Sequence, residues 1–196
     1  AMLAPSIIGQ LPCSINQLAQ GLLQAGFSKV SEVAHGADKT TLNEAREFEE
    51  KMKSGKSFMT TSCCKAYTEA VKKHLPELES FISKTKTPLC YTAEAEKQNN
   101  PDCINVFIGP CVSKRVEGIE NEMVDYVMSF EEMGALFVAL EIELSQCNTE
   151  YFETKASKNG YGFGISGGVA KSVQTTVKDS AIIKPVIING LDKSAM

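Results

Sequence analysis

A chain of 196 residues with 43% hydrophobic and 22% charged residues has the balance of an ordinary globular protein, long enough for one α/β domain or two small lobes with a real core. A net charge of −4 gives no reason to expect a nucleic-acid or anionic-membrane partner, and no apolar run approaches the roughly 20 residues that span a bilayer. Seven cysteines without a secretion signal point to reduced thiols or iron–sulfur ligands rather than a disulfide framework.

Leu3 to Gly9 reads as a short buried strand. Ser14 with Gln17 forms a capping box for a helix whose Ile15, Leu18, Ala19, Leu22 and Leu23 share one face and which Gly26 closes. Lys29 to Ala34 is the next predicted strand, and Thr41 with Glu44 is read as the cap of a second helix ending near Gly55. The stretch from Ser57 to Tyr67 holds the centre of the chain: a strand over 58–62 hands Cys63 and Cys64 to a helix over 66–74. Amide donors and the positive dipole end at a helix start lower a thiol's pKa, and thiolates there bind metal or move protons.

Residues 80–88 form a transition, with a helix expected over 89–97. Ile104 to Ile108 is a strand that delivers Gly109-Pro110-Cys111, and Val124 to Met128 is another. Ser129 with Glu132 caps an apolar helix carrying Met133, Leu136, Phe137 and Leu140. Residues 145–160 read as loop, Val169 to Val177 as helix and Ile182 to Ile188 as a last strand. This alternation predicts an α/β fold of two small lobes, residues 1–88 and 89–196. Each lobe is expected to be a mostly parallel sheet flanked by helices, with the site in the cleft between them, where open α/β sheets carry their chemistry. Ala1 before Met2, and the stop at Ser194-Ala195-Met196, read as artificial ends with native sequence expected beyond Met196.

Thr61-Ser62-Cys63-Cys64 followed by Pro110-Cys111-x-x-Lys114-x-x-Glu117 resembles the active-site domain of FeFe-hydrogenases, the C-terminal region of their large subunit, over nearly the whole chain. The resemblance implies a 4Fe–4S cluster bridged to a diiron subcluster with cyanide and carbonyl ligands, and reversible reduction of protons to hydrogen. It implies Cys64 and Cys111 as two of the four cluster ligands and Cys63 as the proton-delivering thiol. Lys114 would donate to a cyanide, and Pro5 and Ser6 would line the same ligand. Glu47, Ser83, Glu44 and Cys63 would form the proton path, in that order from solvent. A ferredoxin-type electron donor, or further iron–sulfur domains of the same parent protein, would be the partner, and a cytoplasmic enzyme of an anaerobe is expected.

Taken as residues alone, Glu44 is sufficiently explained as the cap partner of Thr41, Glu47 as a solvated helix residue and Ser83 as a turn residue. Cys13, Cys90, Cys103 and Cys147 match no ligand motif and read as small buried apolar side chains, and His35 and His74 as surface or loop histidines. Gly162 to Gly167 fits G-x-G-x-x-G, but nothing strand-like precedes it, so it is not read as a nucleotide site. It resembles instead the family's Ser-Gly-Gly-Val turn, which packs a helix against the cluster region.

Departures from the family pattern bear on function. Lys65 stands where a proline is usual, Tyr67 where a tryptophan is, Gly109 where a methionine packs on the diiron centre, and Leu89 where a polar or sulfur side chain is usual. They suggest a divergent, sensory or regulatory branch. The family's last cysteine motif, with the other two ligands, does not occur in the chain, so this polypeptide alone is expected to be cluster-free and inactive. A second reading is a non-catalytic relative whose cysteines hold an ordinary 4Fe–4S cluster for assembly or redox sensing; Lys114 and Cys63 argue against it, since neither is needed without a diiron centre.

Overall fold

The computed structural model describes residues 1–149, 156–178, 183–188 and 190. Among these, four short strands form one parallel sheet in the order β2-β1-β3-β4, with β1 Met2–Leu3, β2 Ser31–Glu32, β3 Val106–Gly109 and β4 Tyr126–Ser129. Side chains alternate across a strand, so neighbouring residues serve opposite faces. Leu3 and Ile108 pack on one face with Leu18 and Leu22 of α1 (Ile15–Gln24) and Met133 and Phe137 of α6 (Phe130–Ala139). Met2 and Phe107 pack on the other with Val33 of α2 (Val33–Lys53) and Leu89 and Ala93 of α4 (Pro88–Asn99).

The remaining helices are α3 Lys65–His74, α5 Lys114–Glu120, α7 Lys158–Gly162 and α8 Gly168–Thr176. The capping boxes at Ser14 and Ser129 are both present, and Gly26 takes the positive φ that ends α1. The expected α/β class and parallel strands are therefore found. The expectation of one sheet per half is corrected: β1 and β2 lie in residues 1–88, β3 and β4 in 89–196, and all four share a single sheet. Only the parallel bridge between Thr60 and Ile82 lies outside it among the described residues.

Four local expectations also change. The stretch over 3–9 is a two-residue strand followed by a 3-10 turn, Pro5–Ile7. The segment over 58–62 holds only the bridge at Thr60. Part of the expected loop over 145–160 is helical, in the 3-10 turn Leu144–Gln146 and in α7. Residues 183–188 carry no strand, and Ile182 lies outside the described residues.

The largest change is α2. It starts at Val33, directly after β2, and places Thr41 and Glu44 in its interior. The Thr41 hydroxyl donates to the carbonyl of Ala37 at 2.9 Å and that of Thr40 to Gly36 at 3.2 Å, the back-bonding of hydroxyl residues inside a helix. Tertiary packing drives the longer helix. Its small residues admit two close crossings, since a Cβ on Gly36 would lie 2.2 Å from the carbonyl oxygen of Pro88 and one on Gly160 would lie 2.2 Å from that of Ala34.

The crossing predicts opposite signs for one substitution at two sites. Gly36→Ala should lose about 1–3 kcal/mol despite the helix-propensity gain, because the obstructing Pro88 oxygen is backbone and cannot swing aside. Gly134→Ala in α6 meets nothing within 4 Å and should gain up to about 1 kcal/mol; urea unfolding of both variants checks the contrast.

Candidate functional site

Parallel pairing aligns the carboxyl ends of β1 and β3, with Met2 opposite Phe107 and Leu3 opposite Ile108. The Ala4 amide continues the ladder by donating to the Ile108 carbonyl at 2.9 Å. Pro5 and Ser6 therefore leave the sheet beside Gly109, Pro110 and Cys111. Gly109 has no room for a side chain, because an added Cβ would lie 2.5 Å from the Phe107 ring and 3.4 Å from the Ala4 Cβ. The place of a side chain at position 109 is taken by an aromatic ring from two residues earlier on the same strand. Gly164 packs on the Pro5-Ser6 backbone, with 3.1 Å between its would-be Cβ and the Ser6 nitrogen. The Gly-rich stretch thus follows a helix, α7, and serves as a packing turn.

The segment with the paired cysteines leads into α3. Thr60 is held beside the 81–83 turn by hydrogen bonds with Phe81 and Ser83, and Tyr67 donates its hydroxyl to Thr60 at 3.0 Å. Cys64 is the N-cap of α3 in extended conformation, exposed and without a side-chain cap bond. Cys63 is half-buried, and burial, then the charge of Glu44, pushes its thiol up to about 11. The expected lowering at the helix start is therefore reversed for Cys63.

Lys114 joins the two cysteine segments. Its ammonium donates to the Cys63 carbonyl at 3.0 Å and pairs with buried Glu117, which also accepts from the Thr87 hydroxyl. Cys111, three residues before Lys114, is exposed, with its sulfur 2.9 Å from the Ser113 hydroxyl. Lys114 thus reaches the residue next to Cys64, and the two motifs meet. Among the described residues no three His, Cys, Asp or Glu side chains are grouped to hold a metal ion.

The three predicted path residues converge behind Cys63. Glu44 is 0% exposed; one carboxyl oxygen accepts from the Ser62 amide at 3.2 Å and the other has no hydrogen-bond partner. Burial, opposed chiefly by the Ser62 amide, raises its carboxyl to about 7. Ser83, also buried, donates to Glu47 at 2.7 Å. Glu47 further accepts from the amides of Lys84 and Thr85 and the Thr85 hydroxyl, and pairs with Lys51 at 3.1 Å. Burial works against ionisation there, but the Ser83 hydroxyl, the Lys84 amide and Lys51 outweigh it and hold Glu47 below its ordinary value. Glu44 lies inside α2 and is not a cap residue, whereas the Ser83 hydroxyl accepts from the Thr85 amide at 3.1 Å, the turn role read for it.

Sequence reasoning missed Lys51, Ser62 and Thr85. Only Lys51 carried a signal, lying four residues after Glu47 on one helix face. Cys90 is not apolar in its surroundings: Asn121 donates to its sulfur at 3.1 Å and Thr87 at 3.3 Å. Cys147 is buried as expected, and His35 and His74 are exposed.

Residues 1–192 match the family model described as the iron-only hydrogenase large subunit, C-terminal domain. Iron hydrogenase 1 of Clostridium pasteurianum is 29% identical over 179 residues, covering 82% of this chain and 31% of that protein. A cytosolic Fe-S cluster assembly factor of Kluyveromyces lactis is 31% identical over 97 residues, 48% of this chain and 21% of the factor. The apo FeFe-hydrogenase of Chlamydomonas reinhardtii, in a cysteine-to-histidine variant, superposes with a TM-score of 0.73 at 26% identity, covering 89% of this chain and 52% of the algal one. The chain spans about a third of the first relative and about half of the algal structure.

Glu44 generates a pH prediction. Its carboxyl keeps its proton to about 7 when folded but only to about 4.5 when unfolded, so the folded state binds more protons between those values. Its contribution to stability therefore falls as pH rises through that window and is level above it. Glu44→Gln removes the loss, and its stability relative to wild type should climb from pH 4.5 to 8 by up to about 3 kcal/mol, measured by urea unfolding across that range.

Proposed function

Since the chain belongs to the family of the iron-only hydrogenase large subunit, C-terminal domain, we propose that it is the part of an FeFe-hydrogenase that binds an iron–sulfur cluster through Cys64 and Cys111 and carries protons toward it through Glu47, Ser83, Glu44 and Cys63. The observation that carries this reading is the clustering behind Cys63 of buried Glu44 and buried Ser83 with half-buried Glu47, to which Ser83 donates.

The donor set fits part of such a cofactor. Cys64 and Cys111 offer exposed thiols on segments that Lys114 ties together, a fit to two of the four thiolates of a 4Fe–4S cluster. The remaining thiolates come from polypeptide outside the described residues or from another chain, so the proposal has this chain alone retaining no cluster. When bound, the cluster with its diiron subcluster supplies the electrons that reduce two protons to hydrogen. Lys114 supplies a fixed cation, and Pro5 and Ser6 a wall, for the diiron ligands.

Proton delivery is the part performed by this chain's side chains. Glu47 is held ionised by hydrogen bonds and Lys51 at the outer end, ready to take a proton from water. Ser83 donates to Glu47 at 2.7 Å, so inward transfer requires its hydroxyl to turn, accepting from a protonated Glu47 and donating to Glu44. Glu44, raised to about 7, is half protonated near neutral pH, the condition that favours a relay. Cys63, raised to about 11, holds its proton until the chemistry beside it draws it off.

Electrons from a ferredoxin-type donor or from iron–sulfur domains outside this chain belong to the same proposal. The replacement of a methionine by Gly109, walled by Phe107, supports placing the parent in a sensory branch.

The likeness to the cluster assembly factor over 97 residues favours a second reading, a non-catalytic iron–sulfur protein. In the complete matured protein, Glu44→Gln should leave iron content unchanged and lower hydrogen evolution about 100-fold or more, while Cys64→Ser and Cys111→Ser should each lower the iron content. Full turnover in Glu44→Gln would remove the relay. Iron and sulfide without cyanide and carbonyl infrared bands would establish the second reading instead.

A further inference from the structure

Lys65 follows Cys64 and opens α3, and its side chain is only 9% exposed. A cation at the first position of a helix opposes the dipole, and a buried ammonium must be paired. Two carboxylates compensate. Glu69, one turn further along α3, lies 2.9 Å from the Lys65 nitrogen, and Glu120, the last residue of α5, lies 2.5 Å from it.

The Glu69 contact is internal to α3, but the Glu120 contact crosses to the helix that follows Cys111. It runs opposite to the tie already described. Lys114 reaches from the start of α5 to the Cys63 carbonyl, whereas Lys65 reaches from the start of α3 to the end of α5. One tie fixes a distance and leaves a hinge; two ties at opposite ends of α5 fix an orientation. Cys64 makes no side-chain cap bond at the start of α3.

We propose that Lys65 is a positioning residue: through Glu120 it closes a second tie between α3 and α5 and so fixes the orientation of Cys64 toward the segment bearing Cys111. The proposal rests on the reading of Cys64 as a cluster ligand for its purpose, while the tie itself is measurable in metal-free protein.

Amide hydrogen exchange on the full metal-free chain tests it. Lys65→Met should speed exchange about three- to tenfold in the first turn of α3, from Thr68 onward, and also in α5. Glu120→Gln, a change on the more exposed partner, should do the same. The double variant should exchange no faster than the faster single one. Lys65→Arg, which keeps a cation between Glu69 and Glu120, should retain protection in both helices.

Acceleration confined to α3, or effects of the two single changes that multiply, would overturn the tie. In the complete iron-loaded protein, Lys65→Met should release iron to a chelator about three- to tenfold faster, and Lys65→Arg should retain wild-type release. Unchanged release in Lys65→Met would overturn the positioning role. Cys64→Ser should lower the iron content but leave the exchange coupling in place, so failure of the tie and failure of the ligand assignment give different results.

Discussion

A carboxyl group with no exposure to solvent sits in the middle of α2, and one of its oxygens has no hydrogen-bond partner. An unpaired carboxylate is costly in such a place, so the group keeps its proton to about pH 7 instead. The surroundings of Glu44 are drawn from three separate parts of the chain. Glu47 and Lys51 share its helix, Ser62 comes from the segment before α3, and Ser83 from the turn before α4. A rigid helix is the element that can hold two carboxylates one turn apart on one face. Proton affinity then rises inward, from Glu47 below its usual value, through Glu44 near 7, to Cys63 near 11. In the proposed relay, the step from Glu47 to Glu44 runs toward the group of higher proton affinity.

The sheet sets the opposite wall. Because β1 and β3 run parallel and in register, their carboxyl ends open side by side, and whatever follows each strand must share one rim. Pro5 and Ser6 follow one, Cys111 and Lys114 the other. Gly109 belongs to this geometry, since the Phe107 ring lies where its side chain would be. Lys114 then links the rim to the cysteine segment, and Glu117 with Thr87 keeps that lysine from swinging into solvent.

What could be read from the sequence follows from how local each cause is. The caps at Ser14 and Ser129 and the strand before Cys111 depend on residues within one turn or one strand, and the structure has them where the pattern placed them. The start of α2 depends on distant contacts. Val30, Val33 and Ala34 look like strand, and Thr41 with Glu44 looks like a cap, until α4 and α7 press on Gly36 and Ala34 and extend the helix. The misread start concealed the isolation of Glu44, because a cap glutamate would have faced solvent. The pairing of both halves in one sheet was likewise hidden, since strands of two residues carry too little periodicity to reveal their neighbours. The cysteines and Lys114 were legible through their motifs and Lys51 through its spacing from Glu47, whereas Ser62 and Thr85 reach Glu44 and Glu47 through folding alone.

The adjacent thiols show why a helix start does not by itself decide a cysteine's chemistry. Cys64 has extended backbone angles, φ −93° and ψ 100°, and in extended chain successive side chains point to opposite sides. One thiol therefore turns inward toward Glu44 and the other outward to the surface. Enclosure and a neighbouring carboxylate raise the inner thiol despite Lys114, because the amides that start α3 lie beyond the residue they would stabilise. A proton carrier must hold its proton and a metal ligand must lose it. Two cysteines in sequence, on an extended turn at the mouth of a helix, can be given these opposite requirements without any other residue between them.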